Sequence, residues 1–189
     1  MEKLPSSEQL KDELARVRYR INFRKAVRST TYALITVAAV AVLVAVFIMP
    51  VLRIYGSSMT PTVDEGDYVV SLKGVDLEAG DVIAFYYNNK ILVKRVIAFA
   101  GDWIDIDDQG NVYVNNVLLD EPYIAEKAFG DCNISLPYQV PESRIFVMGD
   151  HRSISVDSRN TAVGCVAEEQ IVGRIVFRVW PFSAIGAVR

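Results

Sequence analysis

Residues 29–50, STTYALITVAAVAVLVAVFIMP, form one uninterrupted run without a charged side chain. As an α-helix this segment is about 33 Å long, which matches the roughly 30 Å hydrocarbon core of a bilayer. A cleaved signal peptide is the competing interpretation. The run is too long for one, however, and it is preceded by an N-terminal segment that is also too long and contains four acidic residues. The sequence therefore predicts a transmembrane helix over residues 29–50.

The charges of the chain are distributed unevenly about this run. Residues 1–50 carry eight Lys or Arg and four Asp or Glu, a net charge of +4, whereas residues 51–189 carry twelve and nineteen, a net charge of −7. Six of the basic residues lie together just before the run, and only Arg53 closely follows it. The positive-inside rule then predicts that residues 1–28 are cytosolic and that the rest of the chain is extracytoplasmic. The acidic remainder argues against nucleic acid as a partner and favours a lipid bilayer.

The extracytoplasmic part reads as short strands separated by turn signals. GDVIAFYYNNKILVKRVIAFAGD predicts two strands joined at Asn88 and Asn89, and WIDIDDQGNVYVNNVLL predicts a hairpin that turns at its Gln-Gly pair. DYVVSLKG, SRIFVMGD and QIVGRIVFRVW add further strands. The predicted fold class is mainly β, an antiparallel β domain preceded by one transmembrane helix, with a long irregular connection over residues 120–143.

Directly after the apolar run, the stretch YGSSMTPT holds two serines in a tight turn. Gly56 frees the backbone and Pro61 restrains the residue before it, so that Ser57 and Ser58 lie between two constraints. Serines are ordinary turn residues, which is one interpretation of this stretch. The other is that one of them is a nucleophile held close to the membrane.

The strand ILVKRVIAF places two cations among apolar residues. Alternation puts Lys94 and Arg95 on opposite faces, and both faces are otherwise apolar. Unless the strand has a wet face, one cation is desolvated, and burial lowers the pKa of a lysine from about 10.4 by as much as 3 to 5 units, whereas arginine stays charged. A lysine that titrates near neutrality can act as a general base for a serine hydroxyl. A solvated strand lysine is the alternative.

The stretch GDHRSISVDSRN contains the only histidine of the chain, His151, next to Asp150. A Ser-His-Asp triad is therefore arithmetically possible. Neighbours on an extended chain point to opposite faces, however, so Asp150 is poorly placed to orient His151. Asp157 and Arg159 would lie on the same side and could pair, which indicates a loop brace.

The remaining candidates for special chemistry are Cys132 and Cys165, which lie outside the predicted membrane, where a disulfide is permitted. Their spacing leaves a disulfide and two free thiols equally open. With one histidine and no CxxC pair, we predict neither a metal site nor a cofactor.

Together these stretches resemble the type I signal peptidases, membrane-anchored serine endopeptidases with a Ser-Lys dyad, in their shorter Gram-positive-like form. The resemblance runs from residue 29 onward. It rests on segments that follow one another in the family's order: GSSMTPT, GDYVV, GDVIAF, VKRVIAFAGD, MGDHRSISVDSR, VG, IVGR and WP. It implies an antiparallel β catalytic domain of the signal-peptidase type.

The resemblance also implies roles for individual residues. Ser58 corresponds to the nucleophile, with its backbone N–H forming part of the oxyanion hole, and Lys94 corresponds to the general base. Ser155 corresponds to the serine that hydrogen-bonds and orients the lysine. Asp157 and Arg159 correspond to a brace behind the site.

The chain departs from the family pattern at several places. Gly56 stands where some members place a serine hydroxyl in the oxyanion hole, which leaves the second donor open. His151 stands where asparagine is usual, and Ser153 where aspartate is frequent. The stretch between residues 101 and 145 is short, so the second β domain of some relatives should be reduced to little more than a hairpin and its loop.

The function implied is that of a membrane-bound serine endopeptidase of the bacterial plasma membrane, which removes signal peptides from exported preproteins after small residues, in an Ala-X-Ala-like pattern. The predicted organisation is a cytosolic basic segment over residues 1–28, a transmembrane helix over 29–50, and an extracytoplasmic β-rich catalytic domain over 51–189. The alternative is a specialised peptidase or a non-catalytic pilus-assembly accessory protein on the same fold. Intact Ser58 and Lys94 argue against a non-catalytic role.

Overall fold

The computed structural model describes residues 7–188 and begins with one long helix. Helix α1 runs from Ser7 to Ile48, and the part from Leu10 onward is long and apolar enough to cross a membrane. It begins well before residue 29, because the charged segment ahead of the apolar run continues the helix without a break. The helix as far as Phe47 forms one compact unit, and the chain from Ile48 onward forms a second.

As far as residue 188, the second unit is built from twelve strands that all pair antiparallel. The strands are β1 (Val51–Arg53), β2 (Tyr68–Leu72), β3 (Val82–Tyr87), β4 (Lys90–Ala98), β5 (Trp103–Ile106), β6 (Val112–Val114), β7 (Val117–Leu118), β8 (Tyr138–Gln139), β9 (Arg144–Met148), β10 (Val166–Ala167), β11 (Ile171–Trp180) and β12 (Gly186–Ala187). Short 3₁₀ helices lie at Glu168–Gln170 and Phe182–Ala184. The prediction of a mainly antiparallel β fold with one N-terminal apolar helix is confirmed.

The larger sheet has the strand order β1-β2-β11-β3-β4-β9-β10, and β12 pairs with the end of β11. The hairpin of β3 and β4 turns at Asn88 and Asn89, with φ of 43° and 62°, as the Asn-Asn pair predicts. Strand β4 lies between β3 and β9, with Lys94 opposite Ile83. This inner position explains why β4 is buried from Lys94 to Ala98.

The smaller sheet has the order β7-β6-β5-β8 and is larger than the predicted hairpin. Strands β5 and β6 are the predicted pair, but a second turn at Asn115 and Asn116, with φ of 51° and 64°, folds β7 back onto β6. Two residues of the long connection add β8. Strands of two residues are too short for an alternation pattern, which is why the sequence did not predict them.

Three apolar clusters form the core of the described part of this second unit. One joins the smaller sheet to β4 and β9, through residues that include Ile104 and Phe146. Another packs the turn after β1 against the larger sheet, through Met59, Val63 and Val82. The third includes Ile83 and lies along β3, β4 and β9. The second of these clusters fixes the turn that carries Ser58, because Met59 and Val63 of that turn pack in it.

Candidate active site

Ser58 lies in the turn between β1 and β2, and the next residue anchors it. Met59 is 2% exposed and packs in the core, while Ser58 itself stays half-buried. On the other side, the backbone N–H of His151 donates to the carbonyl oxygen of Ser58 at 3.1 Å. The backbone of Ser58 is therefore held from two directions, and its hydroxyl faces Lys94.

Lys94 Nζ lies 2.6 Å from Ser58 Oγ, within hydrogen-bonding distance. The lysine is 3% exposed, and burial lowers its pKa to about 8, against the opposing charges of Asp157 and Asp150, which favour the ammonium. A neutral amine is thus accessible close to physiological pH. The structure brings together the serine and the lysine that the sequence singled out, and gives the lysine the desolvation that a general base needs.

Arg95 follows Lys94 on β4 and is also buried, at 1% exposure. Its Nε donates to Asp150 Oδ1 at 2.9 Å and its Nη2 to Oδ2 at 2.6 Å, while Thr62 Oγ1 also donates to Asp150. The sequence indicated that at least one cation is buried, but it gave no partner for Arg95. The two residues of this pair are 55 positions apart, and only folding brings them together.

His151 does not form a triad with Ser58 and Asp150. The carboxylate of Asp150 accepts hydrogen bonds from Arg95 instead. Within residues 7–188, the buried Nδ1 of His151 has no hydrogen-bond partner. The contribution of His151 is its backbone N–H, which binds the carbonyl oxygen of Ser58.

Asp157 and Arg159 form a fully buried, bidentate ion pair, which is the kind of contact expected of residues that brace a loop. Arg159 donates from Nε to Oδ1 and from Nη2 to Oδ2, both at 2.9 Å. Asp157 Oδ2 also accepts the N–H of Gly149 at 2.9 Å. The pair therefore fixes the segment after β9, which touches Ser58.

Ser155 is fully buried beside Gly149. A Cβ on Gly149 would collide with Ser155 Oγ and would lie 2.5 Å from the carbonyl oxygen of Ser58. Ser155 Oγ makes no hydrogen bond within the described part of the chain, so the expected bond to Lys94 is not formed in this conformation. The orienting role of Ser155 stays a prediction. Gly149 is a site residue that the sequence did not single out.

The residues from which an oxyanion donor was expected lie at the start of the turn. Gly56 is exposed with φ of +79°, a conformation that favours glycine. The backbone N–H of Ser58 donates to no backbone carbonyl among residues 7–188. Gly56 has no side-chain donor, and the second donor stays unassigned.

A cavity of about 40 Å³ lies next to Ser58. It is small beside the cavities of 440 to 650 Å³ found elsewhere in the described chain, so it favours a small side chain. It is lined by Arg53, Ile54, Tyr55, Gly56, Ser58, Met59, Ile91, Leu92, Val93 and Lys94. The residues flanking Ser58 line this cavity together with the first half of β4.

The two cysteines do not form a disulfide. Cys132 and Cys165 are both free, and burial raises the pKa of each thiol. Within residues 7–188, no group of three or more His, Cys, Asp or Glu side chains is arranged to hold a metal ion.

Comparison with known proteins gives a consistent set of similarities. The family model described as signal peptidase, peptidase S26, matches residues 27–180. Signal peptidase IB of Staphylococcus aureus strain COL is 38% identical over 158 residues, which cover 72% of this chain and 81% of that protein.

Two further similarities cover smaller shares of this chain. Thylakoidal processing peptidase 1 of Arabidopsis thaliana is 34% identical over 146 residues, and the match covers 68% of this chain but only 41% of that longer protein. The crystal structure of a signal peptidase I from Enterococcus faecalis aligns with a TM-score of 0.46 and 28% identity, covering 53% of this chain and 97% of the other.

Proposed function

The chain belongs to the signal peptidase family, peptidase S26, and from this membership we propose that Ser58 and Lys94 are the nucleophile and general base of its peptidase. Members of this family remove signal peptides from preproteins, and the chain is accordingly a signal peptidase. A non-catalytic role in pilus assembly is not favoured. The observation that carries the assignment is the 2.6 Å distance between Lys94 Nζ and Ser58 Oγ, with the lysine buried.

The proposed reaction begins with neutral Lys94. Its amine accepts the proton of Ser58 Oγ as this oxygen attacks the carbonyl carbon before the scissile bond. The negative charge that develops on the carbonyl oxygen is bound by the N–H of Ser58. The ammonium of Lys94 then donates its proton to the leaving nitrogen, the C–N bond breaks, and the mature protein leaves.

The acyl-enzyme that remains joins the signal peptide to Ser58 through an ester. A water molecule attacks this ester while Lys94 accepts its proton, and the same proton returns to Ser58 Oγ when the ester bond breaks. Asp157 and Arg159 act in neither step. We assign them to support of the site, because Asp157 holds the N–H of Gly149 in the segment that touches Ser58. We assign Gly56 to the same role, because its positive φ shapes the turn that carries Ser58.

The substrate preference that we propose is for small residues before the cleaved bond, in an Ala-X-Ala-like pattern. The support is the small cavity, about 40 Å³, that lies beside Ser58. Whether the enzyme processes many preproteins or a dedicated set is decided by cleavage of a preprotein panel.

The membrane arrangement that we propose is a single crossing of the bacterial plasma membrane, with the N-terminus in the cytosol and residues 51–189 outside. It is supported by one apolar helix of sufficient length and by the basic cluster that precedes the apolar run. Protease treatment of intact spheroplasts should digest the β domain and spare an N-terminal tag. Protection of the β domain would contradict this orientation.

The test of the proposed chemistry uses the full chain in liposomes with a panel of preproteins. Ser58→Ala and Lys94→Ala should each abolish cleavage, and the double variant should be no worse, because nucleophile and base act as one unit. His151→Ala is the matched control and should retain most activity. Cleavage by Lys94→Ala together with an inactive His151→Ala would replace the dyad by a histidine mechanism.

A further inference from the structure

Three buried arginines lie behind Ser58 and Lys94, and one loop contacts all three. Arg95 and Arg152 are 1% exposed, and Arg159 is fully buried. The loop, residues 119–130, leads from β7 toward β8 of the smaller sheet. It lies outside the sequence segments that carry the family resemblance, and sequence reasoning described it only as part of an irregular connection.

Each arginine receives a different contact from this loop. The ring centroid of Tyr123 lies 3.8 Å from Arg95 Cζ, a close cation–π arrangement. The carboxylate of Glu121 forms an ion pair with Arg152 Nη2, with both side chains fully buried. The carbonyl oxygen of Phe129 accepts a hydrogen bond from Arg159 Nη1 at 2.8 Å.

Two of these arginines lead directly to the backbone around Ser58. Arg152 Nε donates to the carbonyl oxygen of Gly149 at 3.1 Å, and Arg95 donates to both carboxylate oxygens of Asp150. The next residue, His151, donates its N–H to the carbonyl oxygen of Ser58. Residues 149–151 are thus held by the arginines on one side and touch the nucleophile on the other.

We propose that Glu121 and Tyr123 are positioning residues for signal-peptide cleavage. They hold Arg152 and Arg95, and through these arginines they fix residues 149–151 against the backbone of Ser58. The proposal rests on the proposed function of Ser58 and Lys94.

Charge and geometry explain why the loop matters for rate. Without Glu121, the guanidinium of Arg152 is a buried cation that has lost its carboxylate, and such a group moves toward water. The carbonyl of Gly149 then loses the donor that fixes it. A displacement of about 1 Å at reacting atoms can lower a rate about a hundredfold, so a small shift of the nucleophile is sufficient.

Tyr123 offers the sharpest test because two substitutions separate its ring from its hydroxyl. Tyr123→Leu removes the ring over Arg95, whereas Tyr123→Phe keeps it and removes only the 3.3 Å hydrogen bond from the tyrosine hydroxyl to Glu121 Oε1. In full-length enzyme with one preprotein, Tyr123→Leu should lower kcat about ten- to a hundredfold with KM within about twofold. Tyr123→Phe should stay within about twofold of wild type in both constants.

Glu121→Gln tests the second contact, and Glu126→Gln is its control, since Glu126 is an exposed residue of the same loop. Glu121→Gln should lower kcat about tenfold or more at unchanged KM, and Glu126→Gln should match wild type. Melting temperatures are measured on all variants. Should Glu121→Gln fail to fold, the pair of Tyr123 variants decides the proposal.

Two outcomes would overturn the inference. If Tyr123→Leu and Glu121→Gln melt at lower temperature but keep the kcat of wild type, the loop stabilises the fold without positioning the site. If Tyr123→Phe loses as much activity as Tyr123→Leu, stacking on Arg95 is not the cause. Ser58→Ala is assayed beside them. If Ser58→Ala cleaves the preprotein, the proposed function itself is wrong. If Ser58→Ala is inactive but the loop variants keep the kcat of wild type, only the positioning role is wrong.

Discussion

Arg95 donates hydrogen bonds to both carboxylate oxygens of Asp150, at 2.9 Å from Nε and 2.6 Å from Nη2. Both side chains are buried, so neither charge is compensated by water. Arg95 lies on β4 directly after Lys94, and Asp150 follows β9 directly before the residue that binds the carbonyl of Ser58. This pair therefore links the strand of the proposed base to the segment that holds the proposed nucleophile.

Asp150→Asn should destabilise the β domain strongly. The substitution leaves the buried guanidinium of Arg95 without its carboxylate, and breaking one partner of a buried ion pair costs about 3 to 5 kcal/mol. Denaturant unfolding of the purified enzyme measures the change. Asp108→Asn, at an exposed turn position, is the control and should lie within about 0.5 kcal/mol of wild type. Equal stability of the two variants would show that the Arg95–Asp150 pair does not stabilise the domain.

Several features of the fold could be predicted because their causes are local. The hairpin of β3 and β4 follows from an Asn-Asn pair between two β-branched runs. Asp157 and Arg159 form the pair that the sequence allowed, because the turn over residues 157–160 brings their side chains together. The burial of Lys94 follows from a strand that is apolar on both faces.

The features that could not be predicted depend on contacts between distant residues. Arg95 could have paired with any of the acidic residues, and only the order of the strands selects Asp150. The same holds for Glu121 and Arg152, which are 31 positions apart. Gly149 could not be singled out either, since the lack of space beside it depends in part on Ser58, which comes from a distant part of the chain.

The rate of cleavage should rise with pH along a limb centred near the pKa of Lys94, about 8 in the free enzyme. Only the neutral amine can accept the proton of Ser58, so kcat/KM should fall about tenfold for each pH unit below this value. A pH–rate profile on one preprotein measures the limb, and His151→Ala should leave it in place. A flat profile from acid to alkaline pH would mean that no such lysine titrates on the catalytic path.

Lys94→Met should abolish activity and yet stabilise the fold. Burial lowers the folded-state pKa of Lys94 to about 8, below the unfolded value of about 10.4, so the folded protein holds the lysine proton less firmly. The wild-type lysine therefore costs stability at pH 7, and this cost decreases as the pH rises from about 8 to 10.4.

This lowering of the Lys94 pKa corresponds to about 3 kcal/mol of folding free energy at pH 7. That value is the upper bound of the gain in stability expected for Lys94→Met. Denaturant unfolding at pH 7 and pH 10 measures the gain and its decline. Lys90→Met, at the exposed start of the same strand, is the matched control. A loss of stability in Lys94→Met at pH 7 would show that the attraction of Asp157 and Asp150 for the ammonium outweighs its desolvation.

Gly149→Ala should inactivate the enzyme. A Cβ at this position would lie 2.5 Å from the carbonyl oxygen of Ser58 and 2.6 Å from Ser155 Cβ, distances that force the backbone apart. We expect kcat to fall about a hundredfold and the free energy of unfolding by about 1 to 3 kcal/mol. Gly186→Ala is the control, since no atom lies within 4 Å of a Cβ there. Full activity of Gly149→Ala would mean that the backbone of Ser58 can move without loss of catalysis.

Ser155 should affect the rate while contributing little to stability. Its hydroxyl is fully buried and makes no hydrogen bond within residues 7–188, so Ser155→Ala removes no bond of the free enzyme and should leave the melting temperature unchanged or slightly raised. A lysine side chain has about 2 kcal/mol of rotamer entropy to lose, and a hydroxyl that binds its amine during the reaction would hold it toward Ser58. Ser155→Ala should then lower kcat about ten- to a thousandfold with KM little changed.

Ser155→Thr separates the hydroxyl from the packing around it. It keeps the oxygen but adds a methyl group where Gly149 already lies close, so it should retain more activity than Ser155→Ala and lose about 1 to 3 kcal/mol of stability. Steady-state kinetics and thermal unfolding of both variants, beside the exposed control Ser153→Ala, measure these differences. If Ser155→Ala keeps the kcat of wild type, the amine of Lys94 is positioned by packing alone, and Ser155 only fills space behind it.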